Sequence, residues 1–468
     1  GFSQNFSMRA APSKKYIHLM GLRLFALLTL QSAAQEPDPT SRSFSCGAQL
    51  QLPDSYRANL TLGEVPQQIV PLVSDLHLGD GVDIEYMRPV GSKAGLRPQS
   101  AEFWNFRRSK LHLYWQDGTE LGVFSGSVGA LEYNSINSYA SHTFLFLEPD
   151  TKERVAMITV QQDTLVYIIP PLDGDVETKA SRAYHKVMAR SSAQAAYYAQ
   201  NGKHWLSADG RAGPALNMWP AEALGQVHSV TSRHGYAASP ETPVTLNLTV
   251  ISTSPNGPRV FLIRDLLSDE ECDHIVEEGT KVLVDSSVGN GGSAFKSNTR
   301  TSKTGFITRQ RTSMLDQVHA RFADVLGLDD SLWNRSHPGG RAEHLQVVRY
   351  NKAEHYEAHL DFSAGEREQR FLTLLLYIET PTGGGYTSFP EAASGRGMRV
   401  RPPRGSAVLF YSMLPDGNGD ELSLHSGEAV TDGVKWVCNL WVSDYGADRL
   451  LAHNKAQHSD NTDIESDS

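Results

Sequence analysis

Apolar and polar positions alternate over short runs in the first half of the chain, a pattern typical of β-strands with one buried face. The pattern extends from about residue 65 to residue 169, and two of the runs meet at Asp117-Gly118, a dipeptide typical of hairpin turns. We therefore predict a small β-sandwich domain over residues 65–172.

An Ala-rich helical pattern follows, from residue 176 to residue 201. Residues 237–243 and 252–258 are rich in proline, which interrupts helices and central strands. These interruptions place a domain boundary near residue 250. Residues 173–257 are accordingly predicted to be a helical segment and a Pro-rich linker.

The second half begins with two amphipathic helices and continues as strands. Ser268 and Glu271 form the sequence signature of a capping box at the first helix, and the second helix runs from about residue 310 to 326. Between them, residues 289–302 are rich in Gly, Ser and Asn and are predicted to form a mobile loop. Strand patterns fill residues 343–444, so we predict a mainly β fold of the α+β class.

Composition narrows the class of protein. The 468 residues carry a formal net charge of −10, so no basic surface indicates a nucleic-acid partner. The cysteines, Cys46, Cys272 and Cys438, are too few for a disulfide framework and wrongly spaced for a zinc site. The polar, acid-containing tail over residues 446–468 is predicted to be disordered.

The N-terminal segment has the composition of a targeting signal. Two lysines precede an apolar run from Leu19 to Leu30, and Ser32-Ala33-Ala34 resembles a signal-peptidase site. The run is shorter than the ~20 apolar residues of a membrane-spanning helix. Residues 1–35 are predicted to be a signal peptide or a signal anchor, which directs the protein to the lumen of the endoplasmic reticulum; a buried helix is the alternative. Glycosylation sequons at Asn59, Asn247 and Asn334 fit the same route.

Candidate chemistry lies on the predicted strands of the second half. His359 and Asp361 are two residues apart, so their side chains project from one face of a strand. His425 begins a later strand and would complete a 2-His-1-carboxylate triad, an arrangement typical of Fe(II) oxygenases. Lys435 lies in an apolar strand, where a charge is costly unless an anion, such as a dicarboxylate co-substrate, meets it. Taken singly, each residue also fits a structural role, as a core histidine or as a lysine that reaches solvent.

Residues 258–445 resemble the catalytic domain of prolyl 4-hydroxylases, in the Fe(II)/2-oxoglutarate dioxygenase superfamily. The motifs that carry this resemblance are PRVFLIRDLLSDEECDHIVEEG, RTSKTGF, EHLQVVRYNKAEHYEAHLDF, RFLTLLLYIETPTGGGYTSFPEA, VRPPRGSAVLFY and LHSGEAVTDGVKWVCNLWV. The resemblance implies a double-stranded β-helix, or jelly roll, with flanking helices. It also implies hydroxylation of peptidyl proline at C4, with release of succinate and CO2.

The same resemblance implies roles for single residues. His359, Asp361 and His425 match the iron ligands, and Lys435 matches the residue that binds the distal carboxylate of 2-oxoglutarate. Positions that contact this co-substrate are matched by Tyr350 and Thr373. Positions that line the peptide groove are matched by Arg300, Ser302, Glu343, Tyr356 and Trp441. Tyr386 departs from the family, which usually has an acidic residue at that position.

The implied cofactors are Fe(2+), 2-oxoglutarate as co-substrate, O2 and ascorbate, and the implied partner is a Pro-rich peptide or protein. The loop at residues 289–302 is predicted to act as a lid, with an ordinary surface loop as the alternative. Two other functions stay open: a related 2-oxoglutarate dioxygenase that acts on another side chain, and a catalytically idle peptide-binding protein.

Residues 98–170 resemble, over a shorter stretch, the β domain of the von Hippel–Lindau protein, which binds hydroxyproline peptides. Ser138 and His142 match two of its hydroxyproline contacts, and Phe144 stands where that domain has a Trp. These three residues are predicted to alternate along one strand face as a candidate hydroxyproline reader. The alternative is a spacer domain with that face in its core.

Overall fold

The structure of the protein, a computed structural model, describes residues 76, 78–88, 99–171, 178–207, 213–214, 216–285, 302–330, 333, 340–364 and 368–444. The predicted signal or anchor segment, the acidic tail, Arg300 and residues 289–301 of the predicted lid lie outside these ranges, so those interpretations stay predictions. Among the described residues, none of the helices combines the length and the apolar character needed to cross a lipid bilayer.

The first half of the chain forms a β-sandwich. Strand β1 (Asp83–Tyr86) precedes it in the sequence, and its own described strands are β2 (Gln99–Asn105), β3 (Leu111–Trp115), β4 (Val123–Val128), β5 (Glu132–Ser138), β6 (Thr143–Leu147), β7 (Arg154–Thr159) and β8 (Val166–Ile169). One sheet has the order β5-β2-β8 and the other β4-β3-β6-β7. Phe103 packs between them against Phe144 and Phe146, with ring centroids 5.0 and 5.3 Å away. The inward positions of the alternating pattern therefore build the core of this domain.

A long helix, α1 (Thr178–Asn201), packs against the sandwich. Its end agrees with the prediction, since Gly202 follows with φ +65°, a left-handed conformation that glycine adopts readily. Val187 joins the sandwich core. Arg190 donates to both carboxylate oxygens of Glu102, at 3.1 and 2.9 Å, so that an apolar contact and an ion pair both attach the helix to the sandwich.

The predicted Pro-rich linker contains strands of the second half of the molecule. β9 (Val227–Ser232) and β10 (Val244–Ser252) pair antiparallel with each other, and β10 pairs with β11 (Val260–Ile263). The boundary predicted near residue 250 therefore does not match the structure. The prolines lie in the connections between these paired strands, so they mark turns within one domain.

The second half is a jelly roll, with helices α2 (Asp269–Thr280) and α3 (Ser313–Leu326) packed on its larger sheet. Its remaining strands are β12 (Val284–Asp285), β13 (Lys303–Ile307), β14 (Leu345–Tyr350), β15 (Tyr356–His359), β16 (Gln369–Glu379), β17 (Gly383–Gly384), β18 (Thr387–Phe389), β19 (Met398–Arg401), β20 (Ala407–Tyr411), β21 (His425–Gly427), β22 (Val430–Asp432) and β23 (Lys435–Asp444). The larger sheet has the order β12-β13-β14-β23-β16-β20-β11-β10-β9, and the smaller one the order β1-β19-β18-β21-β15.

Strand β16 shows why the sequence of the larger sheet is apolar without interruption. Leu374 and Leu376 face the core beneath α2 and α3, whereas Leu375 and Tyr377 face the core between the two sheets. A strand that is buried on both faces needs apolar residues at consecutive positions. Thr373 shares the face of Leu375, which places its hydroxyl on the inner side, at the candidate site.

Helix α2 begins at its predicted cap. The Ser268 hydroxyl accepts the backbone N–H of Glu271 at 3.2 Å, and the Glu271 carboxylate accepts the backbone N–H of Ser268 at 2.9 Å, so the predicted capping box is confirmed. Glu271 also pairs through both oxygens with Arg321 of α3, at 2.8 and 2.7 Å. Both side chains of this pair are fully buried, so the charges depend on each other for solvation.

Strand β1 departs from the predicted domain organisation. It precedes the sandwich in the sequence, but it pairs antiparallel with β19 at the edge of the smaller sheet of the jelly roll. Arg401 of β19 donates to the Asp83 carboxylate of β1 at 2.9 Å, and Arg399 donates to Glu85 at 2.6 Å. The predicted sandwich over residues 65–172 therefore includes a strand that belongs to the jelly roll.

Candidate active site

Three side chains with metal-binding atoms converge at the inner face of the smaller sheet. His359 ends β15 and His425 begins β21, and the two residues are direct partners in the antiparallel register. Asp361 follows β15 by two residues. Its two oxygens lie 3.8 Å from Nε2 of His359 and 3.7 Å from Nε2 of His425, and the ligand atoms of all three lie within 4.8 Å of one another. The structure thus brings together the triad that the spacing predicts.

Hydrogen bonds fix the orientation of both imidazoles. Nδ1 of His359 donates to the Glu357 carbonyl at 2.8 Å, and Nδ1 of His425 donates to the Ser423 carbonyl at 2.9 Å. A carbonyl only accepts, so each Nδ1 carries the hydrogen and the lone pair of each neutral ring lies on Nε2. Both Nε2 atoms therefore face the Asp361 carboxylate with electron pairs.

The carboxylate is held in place and kept ionised. The Thr373 hydroxyl donates to Oδ2 of Asp361 at 2.6 Å. Burial pushes the pKa of Asp361 up, but the positive charges of His425 and His359 in their protonated forms, the Arg370 guanidinium and the Thr373 hydroxyl outweigh it and hold this pKa at about 2. Asp361 is consequently an anion at neutral pH.

The triad fits a divalent iron ion. Two imidazole lone pairs and one carboxylate, turned toward one another at 3.7–3.8 Å, repel unless a cation lies between them. Two nitrogens and one oxygen on one side of an ion leave positions open for other ligands, which suits Fe(II) in oxygenases. The side chain of His359 is 25% exposed and those of Asp361 and His425 are buried, so ligands can approach from the His359 side.

Aromatic rings line the triad. Tyr356 stacks on His359 with ring centroids 3.9 Å apart, and Phe410 packs 4.6 Å from the ring of His425. These contacts restrict rotation of both imidazoles, because a rotated ring would lose its stacking partner. They also surround the polar atoms with apolar surface, which strengthens electrostatic interactions there.

Lys435 supplies a buried cation on the facing sheet. It begins β23 opposite Tyr350 of β14, and only 2% of the residue is exposed. Its Nζ lies 5.7 Å from the ring centroid of Tyr350 and 5.2 Å from that of Tyr377. Burial lowers the pKa of Lys435 to about 7, with only partial compensation from Glu428. An incoming carboxylate would restore the favourable charged state.

A glycine leaves room beside this lysine. Gly385 has φ +67°, and a Cβ atom there would lie 2.7 Å from the Pro381 side chain and 3.4 Å from Cδ of Lys435. A larger residue would be strained in its backbone and would press on the lysine stem. Gly385 therefore keeps the space beside the Lys435 stem free of a side chain. The roles assigned to Lys435, Tyr350 and Thr373 in binding 2-oxoglutarate stay predictions.

Sequence reasoning missed Arg370, which connects the predicted groove residues. Its guanidinium donates twice to Glu343, at 2.8 and 3.0 Å, and lies 3.6 Å from the ring centroid of Trp441. Its charge also reaches Asp361. The available signal was an arginine at the start of an otherwise apolar strand, β16, where a charge needs a partner.

The other predicted groove residues are placed unequally. Tyr356 lies on the triad through its stack with His359, and Ser302 is buried immediately before β13. Arg300 lies outside the described residues. For all of these, peptide binding stays a prediction.

Tyr386, the departure from the family pattern, occupies a charged setting at the edge of the smaller sheet. Its hydroxyl donates to the Asp83 carboxylate of β1, and the guanidinium carbons of Arg399 and Arg401 lie 4.6 and 4.8 Å from its ring centroid. The tyrosine therefore fastens β1 to the jelly roll, a role that an acidic residue facing Asp83 would not fill.

The predicted hydroxyproline-binding face is only partly assembled. The Ser138 hydroxyl and Nδ1 of His142 are 3.0 Å apart, but Phe144 is buried in the sandwich core, so the predicted alternation along one strand is wrong. The reason is a turn after Ser138, which ends β5, so that His142 lies just before β6. The aromatic neighbours of His142 are Trp115 and Tyr139, with ring centroids 5.3 and 5.5 Å away. Hydroxyproline binding stays a prediction.

The fold and the triad together define a class, the jelly-roll oxygenases that hold Fe(II) through two histidines and one carboxylate. A family model described as the 2OG-Fe(II) oxygenase superfamily matches residues 345–443. Prolyl 4-hydroxylase 2 of Arabidopsis thaliana is 29% identical over 235 residues, covering 45% of this chain and 75% of that relative. Probable prolyl 4-hydroxylase 4 of the same plant is 30% identical over 234 residues, covering 44% and 75%. The chain belongs to the prolyl 4-hydroxylase family.

Among solved structures, the viral collagen prolyl hydroxylase of Paramecium Bursaria Chlorella virus-1, crystallised as its 2OG complex, is 24% identical to this chain. The comparison has a TM-score of 0.31 and covers 40% of this chain and 96% of that one.

Proposed function

We propose that this protein is an Fe(II)- and 2-oxoglutarate-dependent dioxygenase that hydroxylates peptidyl proline at C4. In this reaction one oxygen atom of O2 enters the proline, and 2-oxoglutarate takes the other as it becomes succinate and CO2. The observation that carries the proposal is the convergence of His359, Asp361 and His425 opposite a buried lysine, Lys435. The curated relatives, which are named as prolyl 4-hydroxylases, support the choice of proline.

His359, Asp361 and His425 would hold the iron, which supplies the O2 chemistry that side chains lack. The protein's own contribution is orientation and charge. The Glu357 and Ser423 carbonyls hold each imidazole with Nε2 facing inward, and Thr373 holds the carboxylate. These contacts exist before any ligand arrives, so binding does not have to order the site.

Lys435 would bind the distal carboxylate of 2-oxoglutarate. An ammonium in an apolar setting gains more from an anion than it would in water, because little solvent competes for it. The rings of Tyr350 and Tyr377 close the space around Nζ, so the carboxylate that reaches the lysine is also shielded from water. The site would select a diacid because it binds an acid group at each end, one at the metal held by the triad and one at Lys435.

The peptide would dock on the side where His359 is exposed. Tyr356 offers an aromatic face for a proline ring, and Arg370, fixed by Glu343 and packed on the buried Trp441, offers donors for backbone carbonyls. A Pro-rich segment suits such a surface, because its extended conformation is preformed and costs little entropy to bind. Ser302 and Arg300 are the remaining proposed contacts.

Ascorbate as a reductant, and the lumen of the endoplasmic reticulum as the location, complete the proposal. Support for the location comes from the short apolar run after two lysines and from the sequons. Attachment to a membrane through residues 1–35 belongs to the same proposal. Expression in animal or plant cells, followed by a glycosidase shift and fractionation, tests the location and the membrane attachment.

The enzymatic test uses a synthetic Pro-rich peptide with Fe(II), 2-oxoglutarate, ascorbate and O2. Mass spectrometry is expected to show one added oxygen per hydroxylated proline, amino-acid analysis to identify 4-hydroxyproline, and succinate to form in equal amount. His359→Ala is expected to abolish both products. His274→Ala, which removes an imidazole of α2 that is hydrogen-bonded to the Thr312 hydroxyl, is the matched control and is expected to stay active.

Other outcomes separate the alternatives. Oxygen on a residue other than proline would indicate a related dioxygenase. Peptide binding without succinate formation would indicate an idle binding protein. Either result would contradict the proposed function.

A further inference from the structure

The loop that leads to His425 is fastened to a segment outside the jelly roll. Residues 203–206 follow α1, and residues 418–421 lead into the helical turn Glu421–Ser423, which comes just before His425. We call these the post-helix segment and the pre-ligand segment. They are far apart in sequence and bond to each other at successive positions, so the contact is built by the fold.

The two segments exchange main-chain and side-chain hydrogen bonds. The Asn418 side chain donates to the His204 carbonyl at 2.7 Å and accepts the Leu206 N–H at 2.7 Å. Asn418 is completely buried, so these bonds replace its hydration. Lys203 then donates to the Asp420 carboxylate at 3.3 Å.

His204 is the centre of this contact. Its Nδ1 lies 2.5 Å from the Glu421 carboxylate, and its Nε2 lies 2.7 Å from the Gln162 carbonyl of the sandwich. A carbonyl only accepts, so Nε2 donates to Gln162, and the bond to Glu421 occupies the other nitrogen. One buried imidazole thus bridges the sandwich domain and the turn in front of an iron ligand.

The turn transmits this attachment to the triad. Asp420 holds it, because its carbonyl accepts the Ser423 N–H at 3.0 Å and the Ser423 hydroxyl at 2.7 Å. The Ser423 carbonyl in turn accepts Nδ1–H of His425 at 2.9 Å. The pre-ligand segment also lies against Phe362, the residue after Asp361: a Cβ atom at Gly419 would lie 2.7 Å from its ring.

We propose that His204 is a positioning residue for the metal site, which holds the Glu421–Ser423 turn against the sandwich and so orients His425. The inference rests on the proposed iron site. It gives the sandwich a part in orienting the metal site, because the Gln162 and Glu421 bonds support the turn whose Ser423 carbonyl aims His425. Groups that orient metal ligands through hydrogen bonds typically change metal affinity by about 10–100-fold when removed. His204 acts one step further out, so we expect about 3–10-fold.

The test is an isothermal calorimetric titration of the full chain with Mn(II), without co-substrate or peptide. His204→Phe keeps the ring volume and removes both hydrogen bonds, and is expected to raise the Kd for Mn(II) about 3–10-fold. Glu421→Gln, which keeps the side-chain shape and weakens the pairing, is the second variant and is expected to change the Kd in the same direction by less.

Two controls separate positioning from general loosening. Tyr197→Phe removes a hydroxyl that donates to Asp416 at 2.7 Å and accepts from Asn418 at 3.3 Å, two anchors of the same interface outside the Glu421–Ser423 turn. His228→Phe removes the hydrogen bond between the imidazole and the Pro220 carbonyl. His228 lies on β9, an edge strand of the larger sheet. Both are expected to leave the Kd within about twofold of wild type, even where the melting temperature falls as far as in His204→Phe.

The inference is overturned if His204→Phe and Glu421→Gln, the two bridge variants, both bind Mn(II) as wild type does. It is also overturned if the controls weaken Mn(II) binding as much as the bridge variants do for the same loss of melting temperature. A wild-type protein that binds no Mn(II) rejects the metal site and this inference together. Normal wild-type binding with unchanged bridge variants rejects this inference alone.

Discussion

Raising the pH above 7 is expected to weaken 2-oxoglutarate binding through Lys435. In the ligand-free protein, burial lowers the pKa of this lysine to about 7. A bound carboxylate stabilises the ammonium and moves the pKa back up. Binding above pH 7 must therefore take up a proton, and the affinity falls as the pH rises through the ligand-free pKa.

The magnitude follows from the proton linkage. With a ligand-free pKa of about 7 and a much higher pKa in the complex, the Kd rises about 5-fold from pH 7 to 8 and about 10-fold more from pH 8 to 9. Below pH 7 the lysine is charged in both states and the Kd levels off. Losing the charged contact altogether, as in Lys435→Met, is expected to cost about 1.5–3 kcal/mol, or about 10–150-fold in Kd at neutral pH.

The assay is isothermal titration of the Mn(II)-loaded protein with 2-oxoglutarate between pH 6.5 and 9, in buffers of different ionisation enthalpy. Wild type is expected to take up close to one proton per ligand at pH 8.5. Lys435→Arg stays charged throughout and is expected to show no such uptake, while Lys435→Met binds weakly at every pH. A wild-type Kd for 2-oxoglutarate that stays constant from pH 7 to 9, without proton uptake, would show that binding does not protonate Lys435.

Three further substitutions test separate parts of the structure. Thr373→Val removes the hydroxyl that holds Asp361, and is expected to weaken Mn(II) binding about 10-fold in a calorimetric titration, with Thr373→Ser close to wild type; equal affinities would contradict this. Arg370→Gln breaks the pair of hydrogen bonds to Glu343, and is expected to raise the KM for peptide at least about 10-fold with the KM for 2-oxoglutarate unchanged. A changed KM for 2-oxoglutarate with an unchanged KM for peptide would contradict this prediction. Arg321→Met leaves a buried carboxylate unpaired, and is expected to lower the free energy of unfolding by about 3–5 kcal/mol in urea; a loss below about 1 kcal/mol would contradict it.

The sequence predicts the triad well because part of its geometry is local. β15 ends at His359 and Asp361 follows two residues later, so the short spacing keeps these two side chains together, and the pairing of β15 with β21 adds His425. Lys435 is conspicuous for the same kind of reason, as a charge in an apolar strand. Capping residues and helical periodicity likewise fix the start of α2 and the buried face of α3.

The contacts between distant segments could not be predicted in this way. The pairing of β1 with β19 depends on the side chains of Asp83 and Glu85 meeting arginines far along the chain. The addition of β9 and β10 to the larger sheet was hidden by prolines that mark turns. The sequence does not reveal that Phe144 is buried, because the turn between β5 and β6 interrupts the alternation of side chains and leaves no periodic signal.

The most direct test of the central claim is a crystal structure of the full chain with Mn(II) and 2-oxoglutarate, in which anomalous scattering locates the metal. One ion is expected at about 2.0–2.2 Å from Nε2 of His359, Nε2 of His425 and a carboxylate oxygen of Asp361. The distal carboxylate of 2-oxoglutarate is expected about 2.7–2.9 Å from Nζ of Lys435. An ion bound elsewhere, or a co-substrate whose far end does not reach that lysine, would contradict it.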